Sequence, residues 1–112
     1  MTGYHLMVEG RVSTSHGGPE LVALIRAIVS RQEGIGMTVV AGPECISAKD
    51  HLVAWAIIAE SHIMVNEWED RRFMMDVFSC AEFTPTKPVD LAIARLGLQP
   101  GYVMRLLPRR GV

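Results

Sequence analysis

Apolar positions in this chain come in short runs set apart by turn-forming residues, and the runs have two different periods. Residues 4 to 9, "YHLMVE", carry apolar side chains on both faces and stop at Gly10, which predicts a substantially covered strand. "STSHGGP" follows as a loop. Pro19 suits a first helical turn and Glu20 suits the positive end of a helix. Leu21, Leu24, Ile25 and Ile28 then recur at helical spacing, so a helix is expected until Gly34 can close it. "MTVVA" (37 to 41) is β-branched and ends at Gly42 and Pro43, the mark of a second strand, with "ECISAKD" as a loop after it. "HLVAWAIIA" (51 to 59) fits a buried strand or a short buried helix, and the Gly/Pro boundary upstream and "HIMV" downstream favour strands. "RRFMMDVFSC" (71 to 80) gives another strand, with "NEWED" as the turn before it. "FTPTKP" leads into a second helix from about Val89 to Leu96, with Pro88 at its start and Gly97 at its end, and "YVMRLL" (102 to 107) is a last strand.

The order β-α-β-β-β-β-α-β predicts an α+β fold: a mainly antiparallel sheet with two helices packed on one face. The other face is then either solvated or covered by a partner. With 112 residues the chain is expected to form one domain over 1–112, with a core that needs neither disulfides nor metal. Its 49 % hydrophobic content makes a homodimer or higher homo-oligomer plausible.

Charge narrows the range of partners. The net charge is −1 and the pI near 6.4, so no dominant footprint for nucleic acid or anionic membrane exists, although Arg105, Arg109 and Arg110 make the C-terminal end locally basic. Small molecules and protein partners remain. Two cysteines, Cys45 and Cys80, are too few for a disulfide framework, and neither a signal peptide nor an 18-residue apolar span is present, so a cytoplasmic protein with reduced thiols is expected.

The chemistry concentrates in "AESHIMVNEW", residues 59 to 68. If a tight turn strains the Glu60-Ser61 peptide, the Ser61 hydroxyl can attack the preceding carbonyl and turn the amide into an ester through a tetrahedral oxyanion. Loss of the Cα proton then eliminates the ester, and the resulting dehydroalanine hydrolyses to a pyruvoyl group at a new N-terminus. By itself Glu-Ser-His is a weak signal, since a polar strand end is the commoner reason for such a triplet.

The wider pattern is more specific. "AESHIMVNEWEDRRFMMDVFSC", followed by a loop, a second helix and "YVMRLLPR", resembles the prokaryotic S-adenosylmethionine decarboxylase family, and "HLMVEG" resembles that family's opening strand. The resemblance is specific over residues 59 to 80 and loose between 11 and 50. It implies a sandwich-like α+β fold and a zymogen that splits after Glu60, with Ser61 as precursor of the pyruvoyl cofactor and Cys80 as the acid that reprotonates the product carbanion. The ketone would form a Schiff base with the substrate amine and draw electrons as CO2 leaves. His62 enters as a neighbour of the cleavage site. Decarboxylated S-adenosylmethionine would feed spermidine synthesis.

Several positions depart from the family pattern. Five residues after the serine the family has a histidine that assists elimination; here stands Asn66, and an amide is no general base near neutral pH. Eight residues before the serine the family has a second serine, here Val53. The aromatic partners of the adenine fall near Ile46 and Ser47 on one side and Val8 on the other, so a stacking contribution of about 0.5–1.5 kcal/mol is lost. Asp70, or Glu69 if the turn shifts by one, matches the ribose-binding acid. Three readings follow: a divergent decarboxylase of S-adenosylmethionine, a pyruvoyl-dependent decarboxylase of ornithine or arginine, and an unprocessed homologue that binds a metabolite or protein. In the second reading Glu9, Glu69 and Asp70 are candidates to pair with a substrate amine or guanidinium.

Other features read as ordinary structure. His5, His16, His51 and His62 lack metal-ligand spacing, so no metal is expected. Met64, Met74, Met75 and Met104 alternate with other apolar residues as packing side chains do. Cys45 matches nothing and is read as structural.

Overall fold

The chain runs β1 (Gly3–Arg11), α1 (Gly18–Val29), β2 (Val39–Ser47), β3 (His51–Ile58), β4 (Ser61–Trp68), β5 (Arg72–Ser79), α2 (Thr86–Leu96) and β6 (Val103–Arg109), in a computed structural model that describes residues 3–109. The strands form one six-stranded sheet in the order β2-β3-β4-β5-β1-β6, every neighbouring pair antiparallel. This is the α+β fold that the periodicity predicts. Arg110, part of the expected basic end, lies outside the described residues.

Strand alternation sorts each strand into two faces. Leu6 and Val8 of β1, Ala54, Ala56 and Ile58 of β3, Ile63 and Val65 of β4, and Phe73, Met75 and Val77 of β5 turn inward. They form one core with Leu21, Leu24, Ile25 and Ile28 of α1 and Val89, Ala92 and Leu96 of α2. Each fully buried Leu or Ile contributes about 1.5–3 kcal/mol relative to an exposed one, which is what fixes the helices to this side. The opposite face stays open, and Ile57, Met64, Met74, Val103 and Leu107 are exposed on it.

Helix ends explain two of the expected boundaries and revise two. In α1 the Glu20 carboxylate accepts the Gly17 backbone N–H at 2.7 Å, half of a capping box, and Pro19 sits within the first turn. Gly97 caps α2 in the left-handed region (φ 70°), while the helix starts at Thr86, three residues before the expected Val89. The expected closure of α1 at Gly34 is corrected: the helix ends at Val29, and Ser30 Oγ accepts the backbone N–H groups of Gln32 and Glu33 to start a separate turn. Gly34 is needed for space, because a β-carbon there would lie 2.0 Å from the Ile28 carbonyl oxygen.

Two further expectations are overturned. "ECISAKD" is not all loop, since β2 continues through Gly42 and Pro43 to Ser47 with register shifts between Ala41 and Glu44. A proline has no N–H for a central ladder, but β2 is the sheet edge, where one side needs no partner. "NEWED" is likewise not all turn: Asn66, Glu67 and Trp68 complete β4, and only residues 69 to 71 turn, with Arg71 at φ 70°.

Candidate active site

The sheet's hairpin geometry builds the site. Ile58 pairs with Ser61 across β3 and β4, which leaves Ala59 and Glu60 as a two-residue turn. Glu60 has φ 59°, a value that ordinarily goes to Gly or Asn and costs other residues about 1–2 kcal/mol. The strained residue is therefore the one whose carbonyl precedes Ser61. Ser61 begins β4 on the inward face and is 7 % exposed.

The end of β5 meets this turn twice. The Cys80 backbone N–H donates to Ser61 Oγ at 2.8 Å, and the Cys80 thiol donates to the Ala59 carbonyl at 3.5 Å. Nineteen positions of sequence separation are thus closed into direct contact. Just beside it, Ser79 is buried, and its hydroxyl donates to the Ala81 carbonyl at 2.7 Å and accepts the Ala81 N–H at 3.0 Å.

On the open face at the same end, Phe78 gathers two imidazoles and a guanidinium. His62 stacks on its ring (centroids 5.2 Å, 14°), His5 meets it edge-on, and the Arg109 guanidinium lies 3.7 Å above it. His5 also hydrogen-bonds Asp76, while Arg109 Nη1 is buried without a partner among the described residues. His62 therefore adjoins the turn but points to the face opposite Ser61.

The remaining candidates lie elsewhere. Asn66 sits five residues along β4 from Ser61, roughly 16 Å at ordinary strand rise, and outward where Ser61 is inward. Val53 is its direct cross-strand partner on that outward face. Glu69 and Asp70 occupy the β4–β5 turn at the far end. Asp70 is already engaged: the Arg72 backbone N–H and its guanidinium hold the Asp70 carboxyl below the usual carboxylate range, with Nε to Oδ2 at 2.9 Å. Ser47 is exposed at the end of β2, in a cleft of about 230 Å³ shared with His16, Lys49, Glu67 and Glu69. Val8 is corrected outright as a ligand contact, because its strand parity buries it in the helix-side core at 1 % exposure.

Two features near the far end had no sequence signal. Glu67 is 4 % exposed, and its carboxylate accepts both the backbone N–H and the ring Nδ1 of His16 at 2.7 Å each, tying the β1–α1 loop to the sheet. The partner is 51 residues away, beyond the reach of spacing arguments. A larger cleft of about 420 Å³ on the open side is lined by Glu9, Arg11, Trp68, Arg72, Met74 and Val103 among others. Trp68 is stacked on His51 (centroids 4.9 Å) with Arg72 over its ring, an aromatic platform placed differently from the positions read off the sequence. Cys45 packs inward against Gly18, and burial pushes its thiol pKa up. Among the described residues no three His, Cys, Asp or Glu side chains come together as a metal site, and no helix is long and apolar enough to cross a membrane.

The family model for S-adenosylmethionine decarboxylase matches residues 5–110. The crystal structure of the adenosylmethionine decarboxylase from Aquifex aeolicus VF5 superposes with a TM-score of 0.75 at 15 % identity, covering 97 % of this chain and 91 % of that one. No curated protein matches the chain.

Proposed function

Since the chain belongs to the S-adenosylmethionine decarboxylase family, we propose that it is a self-cleaving decarboxylase of S-adenosylmethionine that feeds spermidine synthesis, with the Glu60-Ser61 bond as the bond that breaks. The observation that carries this is Glu60 at φ 59° directly before a buried serine. Strain at that residue raises the energy of the intact peptide relative to the ester, in which the turn is released.

The residues present fit a pyruvoyl group at position 61. It keeps the three carbons of the serine, so the space for it exists, and the exposed turn of Ala59 and Glu60 that now covers residue 61 is free to move once the chain is cut. When formed, the ketone supplies an electron sink for the carbon that loses CO2. The chain's own groups do the rest. Cys80 holds a proton at Sγ within the turn, ready for the carbon that must be reprotonated. His62, Phe78 and Arg109 stack as a wall on the open face at the same end, and the Arg109 guanidinium gives that wall positive charge.

One chain leaves the site divided, with Ser61 and Cys80 at one end of the sheet and Asn66, Val53, Glu69 and Asp70 towards the other. A second copy stacked on the open face, antiparallel to the first, would set Asn66 and Val53 of one copy over the His62 and Phe78 end of the other and cover Ile57, Met64, Met74, Val103 and Leu107. A homodimer is therefore part of this reading.

A second substrate class is favoured by one observation. Glu9 lines the 420 Å³ cleft with no hydrogen-bond partner among the described residues, and with Val8 in the core and Ile46 aliphatic the expected adenine clamp is missing. A carboxylate there suits the guanidinium or ammonium of arginine or ornithine.

Intact mass on a time course tests the proposal. Two polypeptides, 1–60 and 61–112, with a hydrazine-reactive carbonyl on the second, are expected. A single 12.4 kDa species after prolonged incubation would overturn it and leave an unprocessed homologue. CO2 release from S-adenosylmethionine, ornithine and arginine then separates the two substrate classes.

A further inference from the structure

The usual helper of elimination is replaced here by an amide at Asn66, on the wrong face and roughly 16 Å from the serine in its own chain. Ser61 nevertheless has one hydrogen bond of good geometry, and it comes from the main chain. We propose that the backbone N–H of Cys80 is the catalytic oxyanion donor of self-cleavage, acting on Ser61 Oγ, and that Ser79 is the positioning residue that aims it. This rests on the self-cleaving reading above and names the group that drives it.

The two chemical steps load different oxygens, the Glu60 carbonyl oxygen in the first and Ser61 Oγ in the second, and the second is the one that cuts the chain. In the first, Oγ bonds to the Glu60 carbonyl carbon, the carbon–nitrogen bond breaks, and the hydroxyl proton ends on the freed Ser61 amine. In the second, a base from solvent removes the Ser61 Cα proton, the Cβ–Oγ bond breaks, and its electron pair stays on Oγ, which departs as one oxygen of the new Glu60 carboxylate. Water then hydrolyses the enamine, in its imine form, releasing ammonia. No oxidant or reductant is needed.

A hydroxyl oxygen has two lone pairs; the Cys80 N–H occupies one at 2.8 Å and leaves the other free to attack. The bond to the neutral hydroxyl is worth little, whereas the bond to a developing anion is roughly twice as strong. The donor therefore favours the elimination transition state, in which Oγ leaves with the electron pair, over the resting chain. Burial of Ser61 at 7 % exposure strengthens it further, since water does not compete.

The aim of the N–H is built in. Ser79, 1 % exposed, binds both the C=O and the N–H of Ala81, so the backbone on either side of Cys80 is held at 2.7 and 3.0 Å. A strand end that frayed would lose the direction of the donor. Here it is locked.

The test exchanges one atom. Lactic acid incorporated at position 80 by nonsense suppression gives an alanine side chain with the N–H replaced by oxygen, and Cys80→Ala is the matched protein that keeps the N–H. Cleavage by intact mass is expected to be about 10²- to 10³-fold slower in the ester-linked protein than in Cys80→Ala, the loss seen for one oxyanion donor. Equal rates would overturn the assignment. Ser79→Ala is expected to fall between them, and rescue by Ser79→Thr, which restores a hydroxyl, separates aiming from packing. Amide hydrogen exchange gives a readout independent of cleavage: Cys80 should exchange at least tenfold faster in Ser61→Ala than in the uncleaved parent chain, and no change would overturn the proposal even if the ester-linked protein failed to fold. If the parent chain never cleaves, the self-cleaving reading and this assignment fall together; if it cleaves and the ester-linked protein matches Cys80→Ala, only this assignment falls.

Discussion

Replacing Glu60 by glycine should make the turn more stable and the chain slower to break. Glu60 holds φ 59°, where a β-carbon costs about 1–2 kcal/mol and glycine costs nothing. Glycine also loosens the unfolded chain by about 0.5–1 kcal/mol, so the net gain in folding stability is at most about 1.5 kcal/mol. Measured in a Ser61→Ala background, where no cleavage intrudes, that is a rise of a few degrees in Tm for a domain of this size. The cleavage rate sees the whole strain and not the unfolded chain. Removing about 1–2 kcal/mol from the resting state should slow ester formation about 5- to 30-fold. Glu60→Ala keeps the β-carbon and the strain while deleting the carboxylate, so the comparison of Glu60→Gly with Glu60→Ala by intact mass isolates the backbone effect. If the two cleave equally fast and melt at the same temperature, strain at residue 60 has no part in the reaction.

Asn66→His should speed cleavage at neutral pH with a rise that follows histidine deprotonation, whereas Asn66→Ala should match the parent; a flat response in both would mean that position 66 never meets the scissile bond, in either copy. Met64→Glu, which puts a charge at the centre of the open face, should shift sedimentation from dimer to monomer, and a dimer that persists would move the interface elsewhere. Asp70→Asn removes a carboxyl whose pKa is depressed on folding by Arg72. A depressed carboxyl stabilises above its unfolded value near 4 and loses that contribution as pH falls through the lower folded value. The parent should therefore exceed the variant in urea midpoint at pH 6, with the gap closing below about pH 4, and a gap that widened on acidification would contradict the ion pair.

Much of this was legible from residue order, for identifiable reasons. His5 and Glu9 mark the outward parity of β1 and so bury Val8, a signal present in the sequence and outweighed by a position borrowed from family spacing. Pro43 reads as a strand stop only if the strand is central; that β2 is an edge depends on pairing among all six strands, which no local window contains. The hairpin at Ala59 and Glu60 was visible as a boundary, but positive φ at a glutamate was not, since the residue type argues against it. Ser61 and Cys80 were identifiable through the motif that contains both. The backbone N–H between them was invisible, because main-chain donors leave no letter in a sequence.

The strand order carries a consequence for what a cut would leave behind. Residues 1–60 own β1, β2 and β3, and residues 61–112 own β4, β5 and β6, yet β1 lies between β5 and β6. Each piece is thus threaded through the other, joined along three ladders and through α1 against α2. Severing the Glu60-Ser61 bond changes the covalent count without giving either piece a way out, so the break can be complete and permanent while the fold continues to behave as one body: two masses in acid, one at native pH.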